Sequence, residues 1–288
     1  MITVNAAAKI NLSLDIVKRL DNGYHSLFMI MQSVDLYDTI KVEKCDCKGI
    51  CITCNVADIP TDDSNIAAKA AKAFFNAANI ENSGIKIDIT KRIPHAAGLA
   101  GGSADGAGVI VALNEMFGTD FTQKELCDIG VKVGADVPFC IVGGTMLSQD
   151  IGGVLSPLQP LHDVFIVLAK PKAGVSTKGA YDAFDSAHNI KHPDNCNLLH
   201  AAVNGDFDKL FVLASNVFEQ VIEVPERVNI KSVMRKHNCK TTCMSGSGPT
   251  VFGIFENKND AENCVAELKS IIPEVFLTKP LNCGTFFE

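Results

Sequence analysis

The chain has 288 residues, more than a typical single domain, so it has material for two compact units that each bury a core. Apolar residues make up 47% and charged residues 20%, ordinary globular usage that excludes a disordered or fibrous chain. The formal charge is −7 and the 26 basic residues are scattered, which excludes the basic stripe of a duplex-binding protein; no nucleic-acid partner is expected.

Residues 1–5 lack a basic segment leading into an apolar stretch, so they do not read as a secretory signal. No apolar run approaches the roughly 18 residues that span a bilayer, and a cytoplasmic protein without a membrane partner is expected. Residues 2–54 alternate apolar and polar positions between Gly and Asn, which predicts several antiparallel strands. Cys45, Cys47, Cys51 and Cys54 fall within this stretch, but structural zinc sites set their ligand pairs further apart. Small apolar side chains on two short strands are the better reading of them. The eleven cysteines are an odd number in a chain of this size, and no disulfide framework is expected.

Residues 61–64 offer caps for an Ala-rich helix over 65–78, and residues 84–90 alternate as a strand. A glycine-rich stretch over 94–108 then runs into helical spacing over 109–117, and Thr122 with Glu125 has the form of a capping box for a helix to about Lys132. Composition shifts to Gly, Pro and polar residues over 152–160, which divides the chain into 1–155 and 156–288. The second part predicts strands over 164–169, 241–244, 250–256 and 274–278, and helices over 177–186, 207–219, 226–236 and 260–270.

The chemistry concentrates at Pro94-His95-Ala96-Ala97-Gly98-Leu99-Ala100-Gly101-Gly102-Ser103-Ala104. Glycines let backbone approach a ligand, and unpaired amides at a helix start favour an anion, so this stretch suits a phosphate. It lacks the Gly-Lys-[Ser/Thr] ending of a Walker loop, and Gly246-Ser247-Gly248 lacks the third glycine of a dinucleotide fingerprint. Two further segments, Ala8-Lys9-Ile10-Asn11-Leu12 and residues 245–253, complete a set of three.

In order and separation these three resemble the motifs of the kinase superfamily named for galactokinase, homoserine kinase, mevalonate kinase and phosphomevalonate kinase (GHMP). Asp21-Asn22-Gly23-Tyr24-His25 and Gly134-Ala135-Asp136-Val137-Pro138-Phe139 narrow the likeness to the members that phosphorylate a cytidine-diphosphate-linked methylerythritol for non-mevalonate isoprenoid synthesis, over essentially the whole chain. The resemblance implies an α+β, two-domain GHMP-kinase fold. Its amino-terminal, ATP-binding domain resembles the second domain of ribosomal protein S5, its carboxy-terminal domain is ferredoxin-like, and the substrate site lies in the cleft between them. It implies ATP as phosphoryl donor and transfer to the acceptor's 2-hydroxyl. At Ala96, Ala97 and Ala100 the central loop departs from a fuller glycine form.

Roles follow from phosphoryl transfer, which needs phosphate charge neutralised, a hydroxyl aimed in line and its proton removed. Asp136 is the expected base and Lys9 the cation that stabilises charge, their meeting in space being implied by the family. Residues 94–104 are expected to hold ATP, with Asn65 at its adenosine end and Ser103 as helix cap or Mg²⁺ contact. At the cytidine end Tyr24 stacks on the base, His25 bonds its edge, Asn11 holds nearby polar groups and Tyr181, with Phe184 second, covers the opposite face. A monomer or weak homodimer is expected. A homoserine- or mevalonate-type kinase lacks a use for Tyr24 and His25, and a non-enzymatic nucleic-acid-binding module conflicts with the acidic charge.

Overall fold

The computed structural model describes residues 1–46, 48–81 and 84–288. The chain opens with two very long antiparallel strands, β1 (Ile2–Arg19) and β2 (His25–Lys44). β3 (Ile50–Cys54), α1 (Ile66–Ala78) and β4 (Ile85–Thr90) follow. The helices α2 (Gly101–Phe117), α3 (Gln123–Gly130) and α4 (Val137–Val142) come next, then β5 (Thr145–Asp150) and β6 (Val154–Pro157). β3 lies parallel to β4, which departs from the all-antiparallel expectation for 2–54. The crossover helix α1 between them is what makes a parallel pair possible. β1 is buried from Val4 to Ile16 on both faces because helices cover one side and the second half of the chain meets the other.

The second half forms a four-stranded antiparallel sheet from β7 (Phe165–Lys170), β8 (Thr241–Met244), β9 (Val251–Phe255) and β10 (Glu274–Thr278). Between β7 and β8 lie α5 (Thr177–Ser186), α6 (Asn195–Asn204), α7 (Phe207–Leu213), a 3₁₀ turn (Val217–Gln220) and α8 (Arg227–Lys236); α9 (Lys258–Leu268) joins β9 to β10. The spatial order β10-β7-β9-β8 is that of a ferredoxin-like sheet, with Ile230, Met234, Ala261, Cys264 and Leu268 of α8 and α9 packed on one face. The expected helix over 207–219 breaks after Leu213, where Ser215 gives its carbonyl to the Leu14 amide at 2.9 Å and ties the two halves together.

The division at residue 155 does not describe the end of the chain. β11 (Pro280–Leu281) pairs with β2, and β12 (Thr285–Phe287) pairs with β1, so the last strands return to the first sheet. Among the described cysteines nine are free thiols, whereas Cys45 is disulfide-bonded, which the expectation of unpaired cysteines did not include. Cys47 lies outside the described residues, which contain no cluster of ligands suited to a metal. Among the described residues no helix is long and apolar enough to cross a membrane.

A buried charge cluster fixes the start of α2 to the sheet. Lys91, just after β4, contacts Asp38 of β2 and donates to Asp105 of α2 at 2.8 Å. Asp38 also accepts the amides of Arg92 and Ile93 at 2.5 and 2.8 Å, so it holds the chain as it enters the glycine loop. Burial raises the pKa of Asp105, with a further push from Asp38 that Lys91 only partly offsets. The folded state therefore keeps this proton over a pH range in which the unfolded chain has lost it, and stability falls as pH rises from the ordinary carboxylate range toward about 8. Asp105→Asn removes that proton linkage. Thermal unfolding followed between pH 5 and pH 8 should show the variant gaining on the parent chain toward the alkaline end; parallel curves would exclude this role for the carboxyl.

Candidate active site

The absence of a side-chain cap sets α2 apart from most of the helices. Asn65, Thr122, Ser176, Asp194, Asp206 and Asn257 each accept an amide at the start of α1, α3, α5, α6, α7 and α9. α2 starts behind Ala100, which has no side-chain acceptor, so its first amides lack the partner that a cap would give. Seventeen residues of helix dipole stand behind those amides, which favours an anion there. Ser103 is thus the third residue of α2 rather than its cap, and it lines the cleft.

The loop before α2 is held by its carbonyls. Those of Ala97, Gly98 and Leu99 accept the Thr250 amide, the Ser245 hydroxyl and the Lys9 amide, so all three sequence motifs meet here. Gly98 has φ +73°, and a Cβ on it would lie 2.2 Å from the Ser245 carbonyl oxygen, so no other residue fits. Ala96 and Ala100 also take left-handed φ of 50° and 59°, which explains why glycine suits those positions in the fuller loop form. On the facing motif, a Cβ on Gly246 would lie 3.0 Å from the Gly98 oxygen and 3.2 Å from Lys9 Nζ. Asn216, which sequence reasoning missed, holds this turn by donating to the Met244 and Gly246 carbonyls, both at 2.7 Å.

Lys9 and Asp136 converge, with Nζ 3.9 Å from Oδ2. The lysine is 4% exposed, whereas the Asp136 side chain keeps 32% of its surface and stands at the start of α4 without capping it. Asp136 is therefore free to meet a ligand. Asn11 is fully buried behind Lys9 and accepts its Nζ at 2.6 Å, so it aims the cation instead of touching a substrate as expected.

These groups line a cleft of about 700 Å³ between the two sheets. Pro94, His95, Ala96, Ala97, Gly98, Ala100, Gly101, Gly102 and Ser103 form one wall, but Leu99 and Ala104 are buried behind it. Asn65 is likewise displaced from its expected role. Its carbonyl oxygen caps α1 and its amide donates to Pro60, so Ile66 presents to the cleft in its place. Lys178, Arg19 and Lys91 also line the cleft, which the sequence reading did not assign; Arg19 stands beside Asp185, and Lys91 is met by Asp38 and Asp105. Lys91 carried the only local signal, a basic pair with Arg92 directly ahead of the glycine loop.

At the other end Tyr24, His25 and Tyr181 line the cleft. The His25 ring stacks on Tyr181 at 4.8 Å and 23°, so Tyr181 covers His25 rather than a face opposite Tyr24. Phe184 meets His25 edge-on at 6.5 Å, and Phe218 supports Tyr181 from beneath at 5.1 Å. Burial first, and then the nearby charge of Asp136, push the Tyr181 phenol up, so it stays a neutral donor. Asp185 takes the Nε2 of His25 at 2.7 Å and lies 3.3 Å from Arg19. A carboxylate only accepts, so that nitrogen carries the hydrogen, and in the singly protonated ring Nδ1 is then the acceptor. Residues 181, 184 and 185 share one face of α5, which is why one helix supplies this wall.

Residues 65–144 match the model of the GHMP kinases N terminal domain, and residues 198–273 match that of the GHMP kinases C terminal domain. The chain is 46% identical over 278 residues to the 4-diphosphocytidyl-2-C-methyl-D-erythritol kinase of Clostridium acetobutylicum, covering 96% of this chain and 99% of that one. It is also similar to a crystal structure of 4-(cytidine 5'-diphospho)-2C-methyl-D-erythritol kinase, with TM-score 0.79 and 27% identity over 96% of this chain and 98% of the other. A homoserine kinase structure from Cytophaga hutchinsonii shares the fold at TM-score 0.81 and 19% identity, over 100% of this chain and 97% of that one. With its three glycine and lysine motifs packed around one cleft, the chain belongs to the 4-diphosphocytidyl-2-C-methyl-D-erythritol kinase family of the GHMP kinase superfamily.

Proposed function

We propose that this chain transfers the terminal phosphoryl group of ATP to the 2-hydroxyl of 4-diphosphocytidyl-2-C-methyl-D-erythritol, a step of non-mevalonate isoprenoid precursor synthesis, with Asp136 as base and Lys9 as charge stabiliser. The observation that carries this reading is the approach of Lys9 to Asp136 within one cleft that also holds the uncapped start of α2. ATP lies with its phosphates on the amides of 98–103, where orphan N–H groups and the helix dipole receive negative charge. Asp136 takes the acceptor's proton as the oxygen attacks, and Lys9, held by Asn11, balances the charge of carboxylate and oxygen.

Mg²⁺ is part of this proposal as an ion bound to the ATP phosphates. The Ser103 hydroxyl is the side-chain donor suited to it, and the ion would shield phosphate charge. That donor set fits an ion that arrives with the nucleotide, since Mg²⁺ keeps much of its shell as phosphate and water.

The cytosine sits against Tyr24 and His25. Its exocyclic amine is a donor and meets the Nδ1 acceptor that Asp185 leaves on His25. Tyr181 holds His25 in plane by stacking, so it acts on the base through the imidazole.

Asp136→Asn should bind both substrates nearly as the parent chain does yet turn over about 10²–10⁴-fold more slowly, as when a positioned base is lost. Single-turnover transfer from labelled ATP measures it, and full activity would remove Asp136 from the chemistry. Tyr24→Ala should raise KM for the cytidine substrate with little change for ATP; equal weakening of both would assign Tyr24 to the fold. In a coupled ADP-release assay across sugar alcohols, only acceptors carrying cytidine diphosphate should be turned over efficiently. Equal use of homoserine or mevalonate would overturn the substrate assignment.

A further inference from the structure

We infer that the carboxy-terminal strap, residues 282–287, is a positioning element that sets the separation of Lys9 and Asp136; this rests on the phosphoryl-transfer reading above. The two side chains sit on different elements, Lys9 in the middle of β1 and Asp136 at the start of α4. One residue of the strap bonds to both. The Gly284 carbonyl accepts the amide of Ala7, two residues before Lys9, at 2.7 Å, and the Gly284 amide donates to Val142, the last residue of α4, at 3.2 Å. Thr285 and Phe286 continue the tie as strand partners of Ala6 and Asn5.

The junction is interlocked at the level of backbone. A Cβ on Gly143 would fall 1.9 Å from the Gly284 nitrogen, and one on Gly284 would fall 2.0 Å from the Cys140 carbonyl oxygen. Neither position accepts a side chain without moving α4 or the strap. α4 has six residues, about 9 Å of helix at 1.5 Å per residue, so a shift at its end is carried to Asp136 at its start. Its apolar residues, Val137, Phe139 and Ile141, are buried, but apolar contact is non-directional, so its axial position rests on hydrogen bonds at its end, where the Gly144 carbonyl accepts the Ser33 amide of β2 at 3.0 Å. The hydrogen bonds of Gly284 are the part of that hold that also reaches β1, the strand of Lys9. The hydrogen bonds of Gly284 go to β1 and α4 and none goes to the α2 amides or the third glycine turn, although β12 also packs against α2, so the bonded hold bears on α4 first.

The test compares Gly284→Ala with the milder Phe286→Ala, which removes an edge-on ring contact with Tyr37 at 5.2 Å and leaves the backbone pairing in place. Four quantities are measured: kcat, the dissociation constant for ATP, the unfolding temperature, and amide hydrogen exchange of residues 137–142 against 101–117. Gly284→Ala should lose on the order of 100-fold in kcat, as a misplacement near 1 Å does, with ATP affinity kept. Exchange should quicken more in 137–142 than in 101–117, and Phe286→Ala should move the same way by less. A folded variant with parent kcat, or a loss of kcat matched by lost ATP affinity and uniformly faster exchange, would overturn the inference. If Gly284→Ala does not fold, Phe286→Ala decides by the same criteria. Exchange needs no substrate, so absence of transfer by the parent chain would overturn the functional reading and leave the strap's hold on α4 separately measured.

Discussion

Backbone packed against backbone, with no side chain between, is the constraint on which the cleft depends. The Gly98 Cα sits so close to the Ser245 carbonyl that a single added carbon would overlap it at 2.2 Å. Only there can a loop of the first half and a turn of the second share hydrogen bonds while both border Lys9. The carbonyl side of the loop is consumed by Thr250, Ser245 and Lys9, and this leaves its amide side toward the cleft. Ala96 and Ala100 hold left-handed conformations that disfavour alanine by about 1–2 kcal/mol each. Such strain persists when the surroundings over-determine the backbone, and the three carbonyl bonds do so.

Charge is arranged around this frame in two tiers. Lys91, Asp38 and Asp105 form a buried tier that no ligand needs to complete, and it fixes where α2 begins. Lys9 and Asp136 form the second, and it is deliberately unequal: the lysine is enclosed and braced by Asn11, while the carboxylate stays about a third exposed and caps nothing. An enclosed cation with a half-open partner stabilises the fold little, because the exposed partner is screened by water. The same asymmetry leaves a carboxylate oxygen open to the cleft, which is what the proposed role as base requires.

Much of this was legible in the sequence where a residue type had one physical use. Thr122 and Glu125 marked a helix start and the runs of the second half marked β7 to β10, whereas the glycines of the loop were read as making room for a ligand and Gly98 instead makes room for the Ser245 backbone. Illegible parts were those whose reason is tertiary. β11 and β12 have two and three residues and are strands only because β2 and β1 are there to pair with them. α4 is too short for a periodic pattern, and β3 became parallel through a connection that alternation cannot reveal. Polar residues misled in one consistent way: Asn65 and Asn11 looked like ligands for substrate, yet their hydrogen bonds are spent on a helix cap and on Lys9. A side chain's chemistry is read from sequence, but which partner consumes it is not.

Sharing the fold with a homoserine kinase at TM-score 0.81 shows how little of the specificity lies in the frame. The half of the cleft proposed to hold phosphate is made of amides and small residues, which many nucleotide kinases of this shape could use. What differs must be the wall opposite, and here that wall is assembled from both halves of the chain: His25 follows the turn after β1, while Tyr181 and Asp185 come from α5. Asp185 fixes which imidazole nitrogen carries the hydrogen, and Tyr181 fixes the plane of the ring, so the orientation of His25 is set before any ligand arrives. On the proposed reading that pre-set geometry is what discriminates, because a substrate without the matching group leaves a partly buried nitrogen unpaired. On the same reading the frame serves the transfer and the His25 wall selects the acceptor.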